Sequence, residues 1–204
     1  MNRSPIVGID FDNTIVSYDD LFYRVALEWN LVDADSPTTK QGVRDALRVS
    51  GREVEWTELQ GYVYGPGMAN AKPFPGALEF INECHSRRYA VMVISHRTRT
   101  PVVGPAFDLH RAAHEWLDAH GVSCPSYFEI TIDAKIERIA RESCTHFIDD
   151  LPEVLSRAER PPDLARILFE PVPGSSLGHA TRSLIRAVSW IDIGRIVFDA
   201  RAHR

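Results

Sequence analysis

Two kinds of apolar pattern alternate along the chain. Ile6–Ile9, Ala90–Ile94 and Ile167–Phe169 are short, continuous apolar runs, and Tyr127–Ile132 and His146–Ile148 are strand-like as well. Runs of this length and bulk predict strands buried on both faces of a parallel sheet. Between them, apolar residues recur at helical spacing. From Tyr18 to about Asn30 the series Leu21, Phe22, Val25, Ala26, Trp29 predicts one helix. Others are predicted over Gln41–Val49, Trp56–Tyr62, Ala77–Arg87, Phe107–His120, Lys135–Glu142 and Pro152–Glu159. The closing segment, Leu184–Ala200, reads as helical at least in part, with Ser189 as an N-cap inside it. Breaks fall at Asp35–Thr39, Ser50-Gly51, Gly65-Pro66-Gly67, Pro73, Pro75-Gly76 and Gly121, where proline, glycine and small polar residues punctuate the pattern.

Short strands alternating with helices predict the α/β class, a Rossmann-like parallel sheet sandwiched by helices. In such sheets ligands sit outside the carboxyl ends of the strands. The residues closing successive strands should therefore compose one site, and their chemistry agrees. The first strand runs into Asp10-Phe11-Asp12-Asn13-Thr14 and the second into Ser95-His96-Arg97-Thr98. Lys135 opens the helix after Tyr127–Ile132, and Phe147-Ile148 runs into Asp149-Asp150, with Glu153 one turn on. If extended, Asp10 and Asp12 project to the same side of the strand. Paired carboxylates there must share a proton, meet a cation or bind a metal.

This order of motifs resembles the haloacid dehalogenase (HAD) superfamily of phosphohydrolases over roughly residues 5–170. The resemblance implies that Asp10 is the nucleophile and that Asp12 gives a proton to the leaving group and later activates water. It implies that Ser95 and Lys135 hold phosphoryl oxygens, and that Asp149 and Asp150 complete a Mg2+ site with the Asp10 carboxylate and the Asp12 backbone carbonyl. Which of Asp149 and Asp150 touches the metal stays open, and Glu153 is an alternative holder of a metal-bound water. Members that cleave carbon–halogen bonds usually lack an aspartate at the position of Asp12, so its presence favours phosphoryl transfer from oxygen to water. Asn13 stands where glycine is common in the family. Asn13, Thr14, His96 and Arg97 are candidate substrate contacts. Arg97 or Arg99, in or beside the Thr98–Ala106 loop with His110, could grip a second anionic group.

The chemistry asks for these residue types on its own account. A carboxylate attacks phosphorus only when the phosphoryl charge is offset, which a hard cation with oxygen ligands achieves. A covalent aspartyl-phosphate divides one hard displacement into two easier ones. Taken singly, each residue has a plainer reading. Ser95 could cap a turn, Lys135 could be a solvated residue in a helix's first turn, and Asp150 could be the N-cap of a helix with Pro152 at an early position. Trp29, Trp56, Tyr62 and Tyr64 read as core packing rather than ligand stacking. The co-occurrence of the strand ends, in order, carries the functional reading.

Residues 15–75 separate the first motif from the helix leading to the second, too long a span for a simple crossover. They resemble a small helical cap, inserted after the first strand into a HAD-like core of residues 1–14 and 76–204. In the family such caps exclude water and choose the substrate, so the expected partner is a small phosphorylated metabolite. The leading reading is a Mg2+-dependent phosphatase acting on such a metabolite, with transfer to another hydroxyl and a catalytically inactive ligand-binding protein as the alternatives.

Composition narrows the field further. The chain has 204 residues, 44% of them hydrophobic, with a formal net charge of -5, which argues against a general nucleic-acid surface. No apolar run approaches the roughly 20 residues needed to span a bilayer, and the N-terminus lacks a signal-peptide h-region. Cys84, Cys124 and Cys144 form no metal spacing, and their odd, sparse count fits reduced thiols in a cytoplasm.

Overall fold

A computed structural model describes residues 4–172 and 184–199. In chain order the elements are β1 (Ile6–Ile9), β2 (Val16–Ser17), α1 (Asp19–Glu28), α2 (Lys40–Val49), α3 (Glu53–Tyr64), a 3-10 turn (Pro66–Asn70), β3 (Lys72–Pro73), α4 (Ala77–Ser86), β4 (Ala90–His96), α5 (Leu109–Ala119), β5 (Ser126–Glu129), α6 (Ile132–Arg141), β6 (His146–Asp149), α7 (Pro152–Arg157), β7 (Ala165–Phe169), β8 (Ile185–Ala187) and α8 (Trp190–Asp199). They pack as two compact units.

The first unit comprises the residues up to Ile15, Pro73–His96, and those from Val122 onward. Its sheet is parallel throughout, in the order β5-β4-β1-β6-β7-β8. β1 pairs with β4 through Ile9↔Val93 and with β6 through Ile9↔Ile148. The chain thus builds outward from β1 in one direction, then in the other, and the strand order reverses beside β1. That reversal leaves a crevice at the carboxyl ends of β1, β4 and β6. One face of the sheet is sealed by Ile139 of α6 and by Val154 and Leu155 of α7 against Ile94 and Phe147. On α4 and α8, Phe80 and Trp190 meet with ring centroids 5.1 Å apart, and Trp190 also meets Phe169 of β7 at 5.7 Å. β1 approaches its neighbours so closely that a Cβ on Gly8 would lie 2.7 Å from Phe147 Cδ2.

The C-terminal segment departs from the expected helix. Ile185–Ala187 is instead a sixth strand, and the helix starts at Trp190. Ser189 does cap it, its Oγ accepting from Asp192 N–H at 3.1 Å. Three residues are too few to display a two-residue period, and pairing with β7 decides their conformation.

The second unit comprises Val16–Lys72 and Arg97–Gly121. The helical pattern alone places the insertion at 15–75; the packing groups residues 97–121 with it as well. The physical reason is α5, whose buried Trp116 donates its indole N–H to the Ala71 carbonyl at 2.9 Å. Phe22 of α1 anchors an aromatic cluster with Trp56 at 5.1 Å and Tyr64 at 5.7 Å. Trp29 packs on Tyr62 at 5.0 Å, so all four aromatic side chains singled out in the sequence pack within this unit.

Candidate active site

Asp10 follows β1 directly, and its N–H donates to the Ile148 carbonyl of β6 at 2.8 Å, so the sheet's own ladder fixes it. The side chain is buried, and Oδ1 accepts from Ser95 Oγ at 2.8 Å and from Lys135 Nζ at 2.6 Å. Lys135 Nζ also lies 2.7 Å from Asp149 Oδ2. Asp149 Oδ1 is taken by the Leu151 N–H at 2.9 Å. Three strand ends and one helix therefore converge through these four side chains.

Lys135 is not the opening residue of its helix. α6 begins at Ile132, with Thr131 as N-cap accepting from Ala134 N–H at 3.1 Å, so Lys135 occupies the fourth position. Taken alone it would read as solvated, yet it is wholly buried. Asp150 likewise is not the N-cap of α7. That position falls to Leu151, with Pro152 the first helical residue, where its missing N–H costs nothing.

The charges explain what the cluster requires. Burial alone would drive the Lys135 ammonium toward its neutral form, but Asp10 and Asp149 more than offset this and raise its pKa. Burial acts on Asp149 in the opposite sense. With Asp10 adding repulsion and Lys135 only partly opposing it, its pKa is pushed up to about 7. One ammonium thus serves two enclosed carboxylates, and a second positive charge would relieve Asp149. The residues fit a metal ion: carboxylate oxygens of Asp10, Asp149 and Asp150 lie within 4.8 Å of one another. Asp149 Oδ2 faces Lys135 without an aligned hydrogen bond, which leaves a lone pair for a cation. An all-oxygen donor set suits a hard ion such as Mg2+. The Asp12 side chain is half-buried and is not among these three converging carboxylates.

The remaining sequence candidates fall in two places. Asn13 adopts a left-handed conformation, φ 57°, which asparagine tolerates better than other non-glycine residues, so the turn after β1 closes without glycine. Thr14 is fully buried, its carbonyl accepting from Trp190 Nε1 at 3.3 Å and its Oγ1 without a partner among the described residues. His96 is the last residue of β4 and half-buried, with Nδ1 enclosed and unpartnered among the described residues. Arg97 is buried within the second unit. Its guanidinium donates to the Leu109 carbonyl at 3.1 Å, Met68 Sδ at 3.6 Å and Tyr18 Oη at 3.4 Å. It also faces the Tyr64 ring at 5.4 Å. Arg99 pairs with Asp108 at 3.3 Å, and His110 Nε2 lies 2.9 Å from the Arg97 carbonyl. The internal ties of Arg97 had no sequence signal, since an arginine in a Pro/Gly loop reads as solvated.

No family model and no curated protein matches the chain. Solved structures do match, and nearly end to end. A HAD-superfamily hydrolase from Ehrlichia chaffeensis is 12% identical with a TM-score of 0.56, covering 98% of each chain. A protein described as a phosphoglycolate phosphatase from Lactobacillus delbrueckii is 14% identical with a TM-score of 0.58, covering 97% of this chain and 99% of its own. One described as a β-phosphoglucomutase from Thermotoga maritima is 14% identical with a TM-score of 0.55, covering 98% of this chain and 100% of its own. Dehalogenases are also among the similar structures. The chain has the HAD-like fold. Among the described residues no helix is long and apolar enough to cross a membrane.

Proposed function

We propose that the protein is a magnesium-dependent phosphohydrolase that cleaves a small phosphorylated metabolite through an aspartyl-phosphate. The observation that carries this reading is the Asp10 carboxylate held by Ser95 at 2.8 Å and Lys135 at 2.6 Å, with Asp149 on the same lysine. Asp10 attacks phosphorus as the bond to the leaving oxygen breaks, and that oxygen takes the proton of Asp12. Water then attacks the same phosphorus, gives its proton to Asp12, and releases Asp10 and phosphate. Lys135 and Ser95 stabilise the phosphoryl oxygens by charge and hydrogen bonding. Asp10, Asp149, Asp150 and the Asp12 carbonyl would hold Mg2+, which supplies charge neutralisation when bound. The second unit is proposed as the element that selects the substrate and excludes water, as caps of this fold do.

Dehalogenases share the fold, but Asp12 supports proton transfer to an oxygen leaving group, which carbon–halogen cleavage does not need. A phosphomutase-like structure among the matches keeps transfer to a second hydroxyl as an alternative, distinguished by product analysis with an acceptor present. The direct test is release of phosphate from p-nitrophenyl phosphate. It should require Mg2+ and vanish in Asp10→Asn. Undiminished release by that variant, or none from the wild type across a panel of phosphate esters, overturns the reading.

A further inference from the structure

The second unit holds a cavity that shares no residue with the Asp10 cluster. Its walls come from residues 65–69 and 107–120, all within that unit. Its volume is about 430 Å³, within the range of about 300–1,000 Å³ that small-molecule sites occupy. Small residues keep it open. Gly65 lets Phe107 form one wall, since an added Cβ would lie 3.0 Å from Phe107 Cβ. Along α5, Ala112 and Ala119 contribute only methyl groups. The walls are also held in place by bonds of their own. Trp116 is buried and tied through its indole N–H to the Ala71 carbonyl at 2.9 Å. His120 stacks on it with ring centroids 3.8 Å apart. Asp108 caps α5, accepting from the Arg111 N–H at 3.0 Å. A cavity formed in advance lowers the cost of binding.

The chemistry of the lining narrows the occupant. Met68, Phe107 and Trp116 bring a thioether and two aromatic rings to the walls, which suit an aromatic partner. The charges balance: Asp108 pairs with Arg99 at 3.3 Å, and Arg111 with Glu115 at 3.5 Å. Neither sign is in excess, and a charged ligand would exchange water for apolar walls without a counter-ion of its own. One polar valence is left over. His120 Nδ1 lies 2.8 Å from the Trp116 carbonyl. A carbonyl only accepts, so Nδ1 carries the proton and the neutral ring has its lone pair on Nε2. That nitrogen has no partner among the described residues and is not enclosed.

We propose that this cavity is a second ligand site, which takes an uncharged aromatic molecule bearing an N–H or O–H donor. The ring sits against Met68, Phe107 and Trp116, and its donor bonds to His120 Nε2. The test uses the full chain, with indole and benzofuran as probes: they match in shape, and only indole has the donor. Calorimetry gives affinity, and the rise of Tm with probe concentration reports binding to the folded state. Indole should bind about fivefold tighter than benzofuran, the effect of one neutral hydrogen bond. His120→Phe keeps a ring on Trp116 but removes the acceptor, and should bring the two probes within about twofold of each other. Ala112→Leu fills the space and should weaken both by about tenfold. Ala119→Leu, at an exposed position, should act in the same sense if Ala112→Leu does not fold. The inference fails if indole does not bind, if benzofuran matches it, or if His120→Phe leaves the preference intact. It fails too if the folded leucine variant binds as the wild type does, or if benzoate or benzylammonium binds tighter than indole. These measurements involve no Mg2+, Asp10 or turnover, so their outcome is independent of the phosphohydrolase reading.

Discussion

Lys135 Nζ and Asp10 Oδ1 are 2.6 Å apart with both side chains buried, and the same ammonium lies 2.7 Å from Asp149. Lys135→Met would keep most of the volume and remove the only charge in that trio opposing the two carboxylates. Breaking a buried pair from one side costs about 3–5 kcal/mol, because the other charge is left uncompensated. Urea unfolding at neutral pH should show a loss of that order, and adding Mg2+ should recover part of it. Phosphate release should fall by about a hundredfold or more, as expected for losing a preorganised charge. A variant as stable and active as the wild type would remove Lys135 from the site.

Asp12 is assigned two proton transfers, and leaving-group chemistry separates them. p-Nitrophenolate leaves without needing a proton, so Asp12→Asn should still be phosphorylated on Asp10 by the aryl ester. Water activation in the second step has no substitute. Rapid mixing should therefore show one equivalent of nitrophenol per protein, followed by turnover slowed about a hundredfold. An alkyl phosphate should give no such burst. Equal slowing of both esters with no burst would mean that Asp12 does not act as the second-step base.

In the proposed site, Asp149 would link Mg2+ binding to pH. Its folded pKa, pushed up to about 7 by burial and then by Asp10, exceeds the roughly 3.9 of an unfolded aspartate. The folded state therefore holds the proton more tightly between those values, and metal-free stability from this group falls as pH rises through that window. Mg2+ takes the ionised form, so its stabilising effect should be large above about pH 7 and shrink by about tenfold in affinity per unit below it. Thermal unfolding with and without Mg2+ measures this directly. Asp149→Asn should flatten the dependence, which separates this group from other titrating residues. A Mg2+ increment that stays constant across the window would show that proton and metal do not compete there.

Much of the sheet was legible because its strands are continuous apolar runs, and the polar residues ending them have no core role to obscure them. β4 nonetheless runs on to His96, since the edge strand β5 pairs through Ser95↔Phe128 and His96↔Glu129. Apolarity alone could not reveal that extension. Lys135 was legible as a motif residue but not as a buried one: its burial depends on Asp10 and Asp149, far away in sequence. The assignment of α5 to the second unit, the role of Arg97 and the pairing of β8 all rest on tertiary contacts that leave no local periodicity.

Gly8 has a packing role that the run Ile6–Ile9 conceals. An added Cβ would lie 2.7 Å from Phe147 Cδ2 and 2.9 Å from Cys144 Sγ, with both neighbours fully buried. Overpacking of this kind costs about 1–3 kcal/mol. Gly8→Ala should lower the urea midpoint accordingly without changing the slope. Adding Cys144→Ala to it removes the sulfur and should recover part of the loss, a coupling of at least about 0.5 kcal/mol. Strict additivity would show that the two sites do not compete for space.

Arg97 offers a choice between holding substrate and holding the second unit together. Its guanidinium reaches the Leu109 carbonyl at 3.1 Å, Met68 Sδ at 3.6 Å and Tyr18 Oη at 3.4 Å, and only a planar fork serves such divergent acceptors. Arg97→Met leaves the Leu109 carbonyl without this donor, a loss of about 1–3 kcal/mol. Arg97→Lys keeps the charge but not the fork, so it should be destabilised nearly as much. Both should lower Tm while KM for a small phosphate ester changes by less than about threefold, an energy well under one hydrogen bond to a charged group. If Arg97→Lys instead raises KM at an unchanged Tm, the guanidinium serves the substrate and its contacts in the second unit are incidental.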